Sequence, residues 1–372
     1  MRQAWLLIIL VSFFGGCRQE YLPELRPSDT QVLIVEGFIK AGAGQTVIRL
    51  SKSRPITSTD PLMGIDGATV VIEGDDQATF LLTNRDNGFY ESAGTLPLDP
   101  AKKYRLRFTI GDKQYASSFE KVLMTPDIDS VSWQRDGTGV EINVNTHSND
   151  EELIYYLWDW TETWQYHSKF ESFYKWDTGA TIVARPDRER QDMYTCWKHV
   201  TSSNILVGSS ARLESNVIYR YPLRQIPQPD QRLSVRYSII VNQYSLSRGA
   251  YDFYQLIKRN TETTGSIFGP QPSEVSGNVR NLSDPTELVV GYVGVAMARQ
   301  KRIFITNSEL PGWNYIPPCE EVYVVNNPDT LRLYLGAYIP YQMKGFFEGF
   351  YLANETCIDC TLTGTNRRPD FW

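Results

Sequence analysis

The clearest signal in the chain is alternation of apolar and polar positions with a period of two. From Tyr104 to Ile110 the apolar Tyr104, Leu106, Phe108 and Ile110 alternate with Arg105, Arg107 and Thr109. Successive strand residues point to opposite faces, so this segment has one buried and one wet side. Shorter apolar runs surround it at Val32 to Val35, Thr46 to Ser51, Ala68 to Glu73 and Gln114 to Phe119. Turn signals separate them: Ala41-Gly42-Ala43-Gly44, Asp66-Gly67, Asn87-Gly88 and Gly111-Asp112. Such dipeptides supply the left-handed backbone that tight hairpins need. About seven short strands with turns every 8–12 residues predict an Ig-like β-sandwich. It runs over residues 31–126 and closes at Thr125-Pro126.

The remainder, residues 127–372, is longer and less regular. Val140, Ile142 and Val144 alternate, Leu153 to Trp164 is dense in aromatics, and Leu233 to Tyr244 predicts a long strand. Leu288 to Ala298 and Arg302 to Thr306 predict two more. One helix stands out. Ser247 suits an N-cap, Ala250, Phe253, Tyr254 and Ile257 fall at i, i+3, i+4 and i+7, and Gly265 can stop it. The prolines at 222–229 and 270–272 read as ordered loops or strand breaks. The expectation is mainly β: a sandwich, then a larger β-rich domain with one or more short helices.

The first residues bear on compartment. Arg2 and the apolar stretch Ala4 to Phe14 form a signal peptide over residues 1–16, too short to span a bilayer stably. Gly15-Gly16-Cys17 resembles a bacterial lipobox, in which the cysteine is acylated, although Phe14 stands where a leucine is usual. The competing reading is an ordinary signal peptide that happens to contain a cysteine. Residues 17–30 are polar, carry two prolines, and read as a tether between lipid and fold. Four further cysteines, Cys196, Cys319, Cys357 and Cys360, suit two disulfides in an exported chain, with three possible pairings. Cys357 and Cys360 have CxxC spacing, which also fits a redox pair or half a zinc site. Structural bridges are the preferred reading.

Composition narrows the chemistry. The 372-residue chain has a formal net charge of −6, against the basic footprint of a nucleic-acid binder. His147, His167 and His199 are widely spaced, which argues against a histidine-rich metal centre. Neither GxSxG nor HExxH occurs. Cys196 lies three residues from His199, but a bridge is the better use of that cysteine. An acidic pair for glycoside cleavage stays open, because sequence does not give distances. The aromatic stretch supplies the candidate binding residues Tyr156, Trp158, Trp160, Trp164 and Trp176. Tyr156, Trp158 and Trp160 share one strand face, and Tyr155 and Leu157 the other. They form either a sticky platform for sugar, peptide or protein, or a core strand under a covering loop. The final Phe371-Trp372 either anchors the tail or inserts into a partner.

Several short stretches, in this order, carry a resemblance. They are Val35-Glu36-Gly37, Thr125-Pro126 with Ile128-Asp129-Ser130-Val131, Tyr237-Ser238-Ile239 with Asn242-Gln243, and Ala250-Tyr251-Asp252-Phe253. Gly265 to Phe268, Pro270 to Pro272, Gly277-Asn278, Gly291-Tyr292, Lys301-Arg302, the Cys357–Cys360 pair and Pro369 to Trp372 follow. Over residues 29 to 372 the chain resembles the Bacteroidota lipoproteins grouped as domain of unknown function 4249, whose first domain looks transthyretin-like. The resemblance implies a lipoprotein of the outer membrane, anchored through Cys17, often encoded beside TonB-dependent receptors. It implies no catalytic residues and no cofactor. The expected function is a non-enzymatic accessory of a TonB-dependent nutrient transporter that binds substrate or receptor through its aromatic surface. An envelope assembly or adhesion lipoprotein is the alternative, and a hydrolase with a hidden acidic pair a third reading. Arg18-Gln19-Glu20 leaves open whether the anchor faces the periplasm or the exterior.

Overall fold

A computed structural model of the protein describes residues 31–42, 44–54, 63–151, 154–262, 275 and 277–372. The residues read as signal peptide and tether, with Cys17, and Gly265 to Phe268 and Pro270 to Pro272 lie outside them. The chain is mainly β, with several sheets and few short helices.

Its first part holds β1 (Leu33–Gly42), β2 (Val47–Lys52), β3 (Thr69–Gly74), β4 (Thr79–Asn84), β5 (Phe89–Glu91), β6 (Lys103–Ile110), β7 (Lys113–Ser117) and β8 (Glu120–Lys121). They pair in the order β1-β2-β5-β4-β3-β6-β7, with β8 on β6. The alternation of β6 is realised as read: Tyr104, Leu106 and Phe108 are buried, opposite Ile72 and Val70 of β3. Inward side chains from β1, β2, β3 and β6 meet in one core with Ile39, Ile48, Leu50 and Ile72.

That core is not completed locally. After β9 (Ile128–Arg135), β10 (Gly139–His147), β11 (Tyr155–His167), β12 (Tyr174–Trp176), β13 (Ile182–Ala184), β14 (Thr195–Thr201), β15 (Leu206–Ser209), β16 (Val217–Pro227) and β17 (Arg236–Ser245), the chain returns. β18 (Val279–Asn281) pairs with β7, and β19 (Val289–Val290) runs parallel to β1. β20 (Val295–Thr306) starts parallel to β1 and then runs antiparallel to β17. Val279, Val289, Val293 and Val295 thereby enter the first core. The predicted boundary at Thr125-Pro126 marks a change of sheet, while the core of residues 31–126 draws on residues 150 and more further along. The segment predicted as two strands, around 288–298 and 302–306, becomes the short β19 and the long β20. Two glycines permit the crossing. A Cβ on Gly277 would strike the carbonyl of Gly291, and one on Gly291 the carbonyl of Val35.

Glu287 pins the return. Its carboxylate accepts from Lys113 Nζ at 2.7 Å, Tyr115 Oη at 2.9 Å and Asn281 Nδ2 at 2.6 Å. The hydrogen bond from Lys113 is the main force holding this carboxyl below its usual range. A carboxyl depressed in the fold contributes stability above its unfolded value and loses it as pH falls through its folded value. Amide protection at Val279–Asn281 is therefore expected to drop as pH is lowered from the ordinary glutamate range through that depressed value. Glu287→Gln should show the weaker protection already at neutral pH, with no further acid step. Equal protection in both proteins across that window, read by hydrogen exchange, would show that Glu287 is not the pin.

The larger part stacks two sheets. β14-β11-β17-β20 forms one; β16-β10-β9 forms the other. Between them lie Ile142, Val144, Tyr156, Trp158, Trp160, Ile226, Tyr237 and Val241. Glu162 is buried there too, accepting from Tyr237 Oη at 2.8 Å and pairing with Arg224 Nε at 3.3 Å and Arg232 Nε at 3.5 Å, so its charge is not left bare. The prolines at 222–229 correct the loop expectation in part. Pro222 and Pro227 lie within β16, an edge strand, where a missing N–H costs least, and the register shifts between Asn143 and its neighbour Ile142 opposite Pro222.

Among the described residues four α-helices lie between the strands: α1 (Asp187–Tyr194), α2 (Arg248–Glu262), α3 (Pro328–Arg332) and α4 (Glu355–Ile358). α2 is the predicted helix; Ser247 Oγ accepts from the Ala250 amide, as an N-cap does. β21 (Glu321–Val325), β22 (Tyr338–Lys344) and β23 (Gly349–Asn354) form a small terminal sheet. Of the three cysteine pairings, the fold makes Cys196–Cys360 and Cys319–Cys357. The CxxC is thus split between two structural bridges. The tail is anchored: Trp372 packs edge-on to Phe304 at 5.7 Å, with the Arg236 guanidinium 5.2 Å from its ring, and Arg302 lies over Phe371 at 3.6 Å.

Candidate functional site

The predicted aromatic platform is not a surface. Tyr156 and Trp158 are fully buried, and Trp160 and Trp164 nearly so. β11 carries β14, β15 and β17 along its edges and the β16-β10-β9 sheet on one face. Tyr155 and Leu157, on the opposite face, pack in a second cluster with α2. A strand apolar on both sides is covered on both sides, and the core-strand reading replaces the binding one. Trp176 lies apart, half-buried on the small terminal sheet, its indole N–H donating to the Tyr338 carbonyl at 2.7 Å.

The histidines are also separate. His167 stacks on Tyr194 at 4.6 Å, and burial holds it below its ordinary value, so the ring is neutral at pH 7. His199 meets Thr163 Oγ1 at 3.0 Å and His147 meets Asp129. Cys196 is bridged to Cys360 and offers no thiolate to His199.

A cleft of about 590 Å³ lies between α2 and β15. Its construction begins with the two faces of α2. Ala250 and Tyr254 pack in a cluster with Phe38, Val207, Tyr244, Ala296 and Ala298, and the buried Phe253 meets Tyr254 and Tyr292. Arg248, Tyr251, Asp252, Gln255 and Arg259, at i, i+3, i+4, i+7 and i+11, form the other face and line the cleft. The opposite wall is Val207, Gly208 and Ser209 of β15 and, just beyond it, Ala211 and Arg212. Tyr155 and Tyr221 complete the lining.

The helix wall is organised internally. Tyr155 and Tyr251 stack with centroids 4.5 Å apart. Arg248 donates from Nε to the Asp252 carboxylate at 2.9 Å and from Nη1 to Tyr155 Oη at 3.2 Å. Gln255 Nε2 donates to Tyr251 Oη at 2.9 Å. These bonds fix the rings and one guanidinium in place before any ligand arrives, which lowers the ordering cost of binding. Among the described residues Arg212 makes no ion pair. The lining holds three arginines and one aspartate, on a chain of net charge −6.

Sequence reasoning used the apolar stripe of α2 and missed the polar one. The signal was present: two arginines and a tyrosine recur at helical spacing on one face, which reads as a solvated face until β15 is seen opposite.

Fold and cleft together describe a disulfide-bridged β protein with one basic, tyrosine-lined recess. The family profile described as Domain of unknown function (DUF4249) matches residues 18–302, and the chain belongs to that family. No curated protein matches it. A solved structure titled "Complete structure of manganese lipoxygenase of Gaeumannomyces graminis and partial structure of zonadhesin of Komagataella pastoris" is 11% identical, over 59% of this chain and 90% of that one. Its TM-score of 0.16 carries no argument.

Proposed function

We propose that the protein is a lipid-anchored accessory of the outer membrane, the partner of a TonB-dependent nutrient transporter, and that the cleft between α2 and β15 holds substrate or receptor. The cleft is the observation that carries this reading. Its volume falls within the roughly 300–1,000 Å³ of small-ligand sites, and its polar groups converge on one space. Gly15-Gly16-Cys17 and the tether supply the anchor in the same reading. The cleft takes over the binding role that the buried tryptophans cannot fill.

An envelope assembly or adhesion role is the second reading, and one observation favours it. Phe346 and Phe347, at the β22–β23 turn, are 89% and 58% exposed, and Phe347 holds a left-handed backbone with φ of 62°. A bulky residue in that conformation is costly and persists where the surrounding structure or a function holds it.

A mild-detergent pull-down of the tagged, acylated protein from its native outer membrane, read by mass spectrometry, tests the proposal. A stoichiometric TonB-dependent barrel is the expected result. Recovery with envelope assembly factors, or with no barrel, would overturn it in favour of the second reading.

A further inference from the structure

We infer that the cleft between α2 and β15 binds an acidic sugar, with Arg212 and Arg248 taking the carboxylate and the tyrosines taking the ring. The inference deepens the proposed role by naming a substrate class, and it rests on the cleft being a binding site.

Charge is the first consideration. The chain is acidic overall, yet this one recess gathers Arg212, Arg248 and Arg259 with Asp252 as the sole acidic lining residue. Asp252 balances Arg248, which leaves the exposed Arg212 as the cation the recess presents, and a concave surface focuses its field. Arg248 is held by Asp252 and Tyr155 in a fixed orientation. Arg212 projects from the facing wall, exposed and without an ion pair among the described residues. A planar guanidinium matches a carboxylate bidentately, so this arrangement suits a carboxylate better than a halide or a bulky hydrophobic anion.

The rest of the lining selects the body of the ligand. Tyr155, Tyr221 and Tyr251 offer flat faces with hydroxyl edges, and Ser209 and Gln255 offer hydrogen bonds. A hydroxylated ring satisfies both: its C–H face lies on an aromatic plane and its hydroxyls meet the polar groups. An extended acidic peptide added to the edge of β15 is the competing ligand. The structure disfavours it, because the Tyr221 hydroxyl already caps the Val207 carbonyl at 2.8 Å and the strand is only four residues long. Strand addition draws its affinity from a free row of such groups.

The test is isothermal titration of the full mature protein in detergent with trigalacturonate, neutral galactotriose, inorganic phosphate and a hexaglutamate peptide. Saturable binding of trigalacturonate alone, weakened by salt, is expected. Arg212→Ala should weaken it roughly 10–100-fold, the loss of a charge-assisted hydrogen bond, and Arg212→Lys should restore only part. Tyr251→Ala should weaken the sugar when titrated well below its own melting temperature, which loss of the Tyr155 stack lowers. Arg332→Ala, on α3, should change nothing. Equal binding of galactotriose, of phosphate or of hexaglutamate, or an Arg212→Ala protein that binds as the parent does, would overturn the inference. If trigalacturonate fails while the barrel still co-purifies, the accessory role stands and only the ligand class falls.

Discussion

Trp158→Ala is expected to cost the whole chain about 3–5 kcal/mol, the range for removing a large aromatic from a closed core. The indole is fully buried between Tyr156 and Tyr221, with ring centroids 5.7 and 4.7 Å away. Its N–H donates to Gln243 Oε1 at 2.8 Å, and Gln243 in turn donates to the Pro126 carbonyl and Thr146 Oγ1, both at 2.9 Å. Substitution therefore opens a cavity and strips one partner from a buried amide that links β17 to β10 and to the inter-sheet crossing at Pro126. Gly208 shows how closely the site is filled, since a Cβ there would press on the Trp158 ring. Trp158→Phe separates the two effects: it keeps most of the volume and loses the hydrogen bond, and about 1–3 kcal/mol is expected. Urea unfolding followed by near-ultraviolet circular dichroism measures both. A Trp158→Ala protein with an unshifted midpoint but impaired partner binding would return the aromatic stretch to the surface.

Removing the Cys196–Cys360 bridge by double serine substitution is expected to lower stability by about 5 kcal/mol, the chain-entropy value for a closed loop of 164 residues. The Cys319–Cys357 bridge closes 38 residues, for which the same relation gives about 4 kcal/mol. The first exceeds the second because cross-linking distant residues excludes more of the unfolded ensemble. It also holds the Cys360 carbonyl that accepts from the buried Tyr166 hydroxyl at 2.8 Å. Guanidinium midpoints of the two double variants, with peptide mapping of the parent, decide the matter. A mapped Cys357–Cys360 linkage, or a loss below about 1 kcal/mol for the longer loop, would show that these cysteines are not the structural clamps described here.

Most strands of the first core were legible because alternation reports a wet face directly: Tyr104, Leu106 and Phe108 of β6 are buried as read, while Ile110 at its end is part-exposed and β4 went unread. β11 was legible as a strand but not as core, since apolar residues on both sides look the same whether a second sheet or a partner covers them. Only the position of the β16-β10-β9 sheet settles that. The return of β18 to β20 left no local trace, because the pairing of Ile39 with Val295 spans most of the chain. Its one hint was the pair of glycines at 277 and 291. β16 was hidden by its prolines, which an edge strand tolerates. The cleft was half visible: the periodicity of α2 was plain, but a polar helix face becomes a wall only when β15 and Arg212 stand across from it.

The central place of β1 has a consequence for the order of events during biogenesis. The first strand to emerge is flanked by β2, which follows within a few residues, and by β19 and the start of β20, which arrive last among its partners. At about 5–20 residues per second, the interval between Leu33 and Val295 amounts to roughly 13–50 s of synthesis. Throughout that time the leading part of the polypeptide lacks the valines that complete its core. A chain built this way delays its own closure until nearly all of it is present.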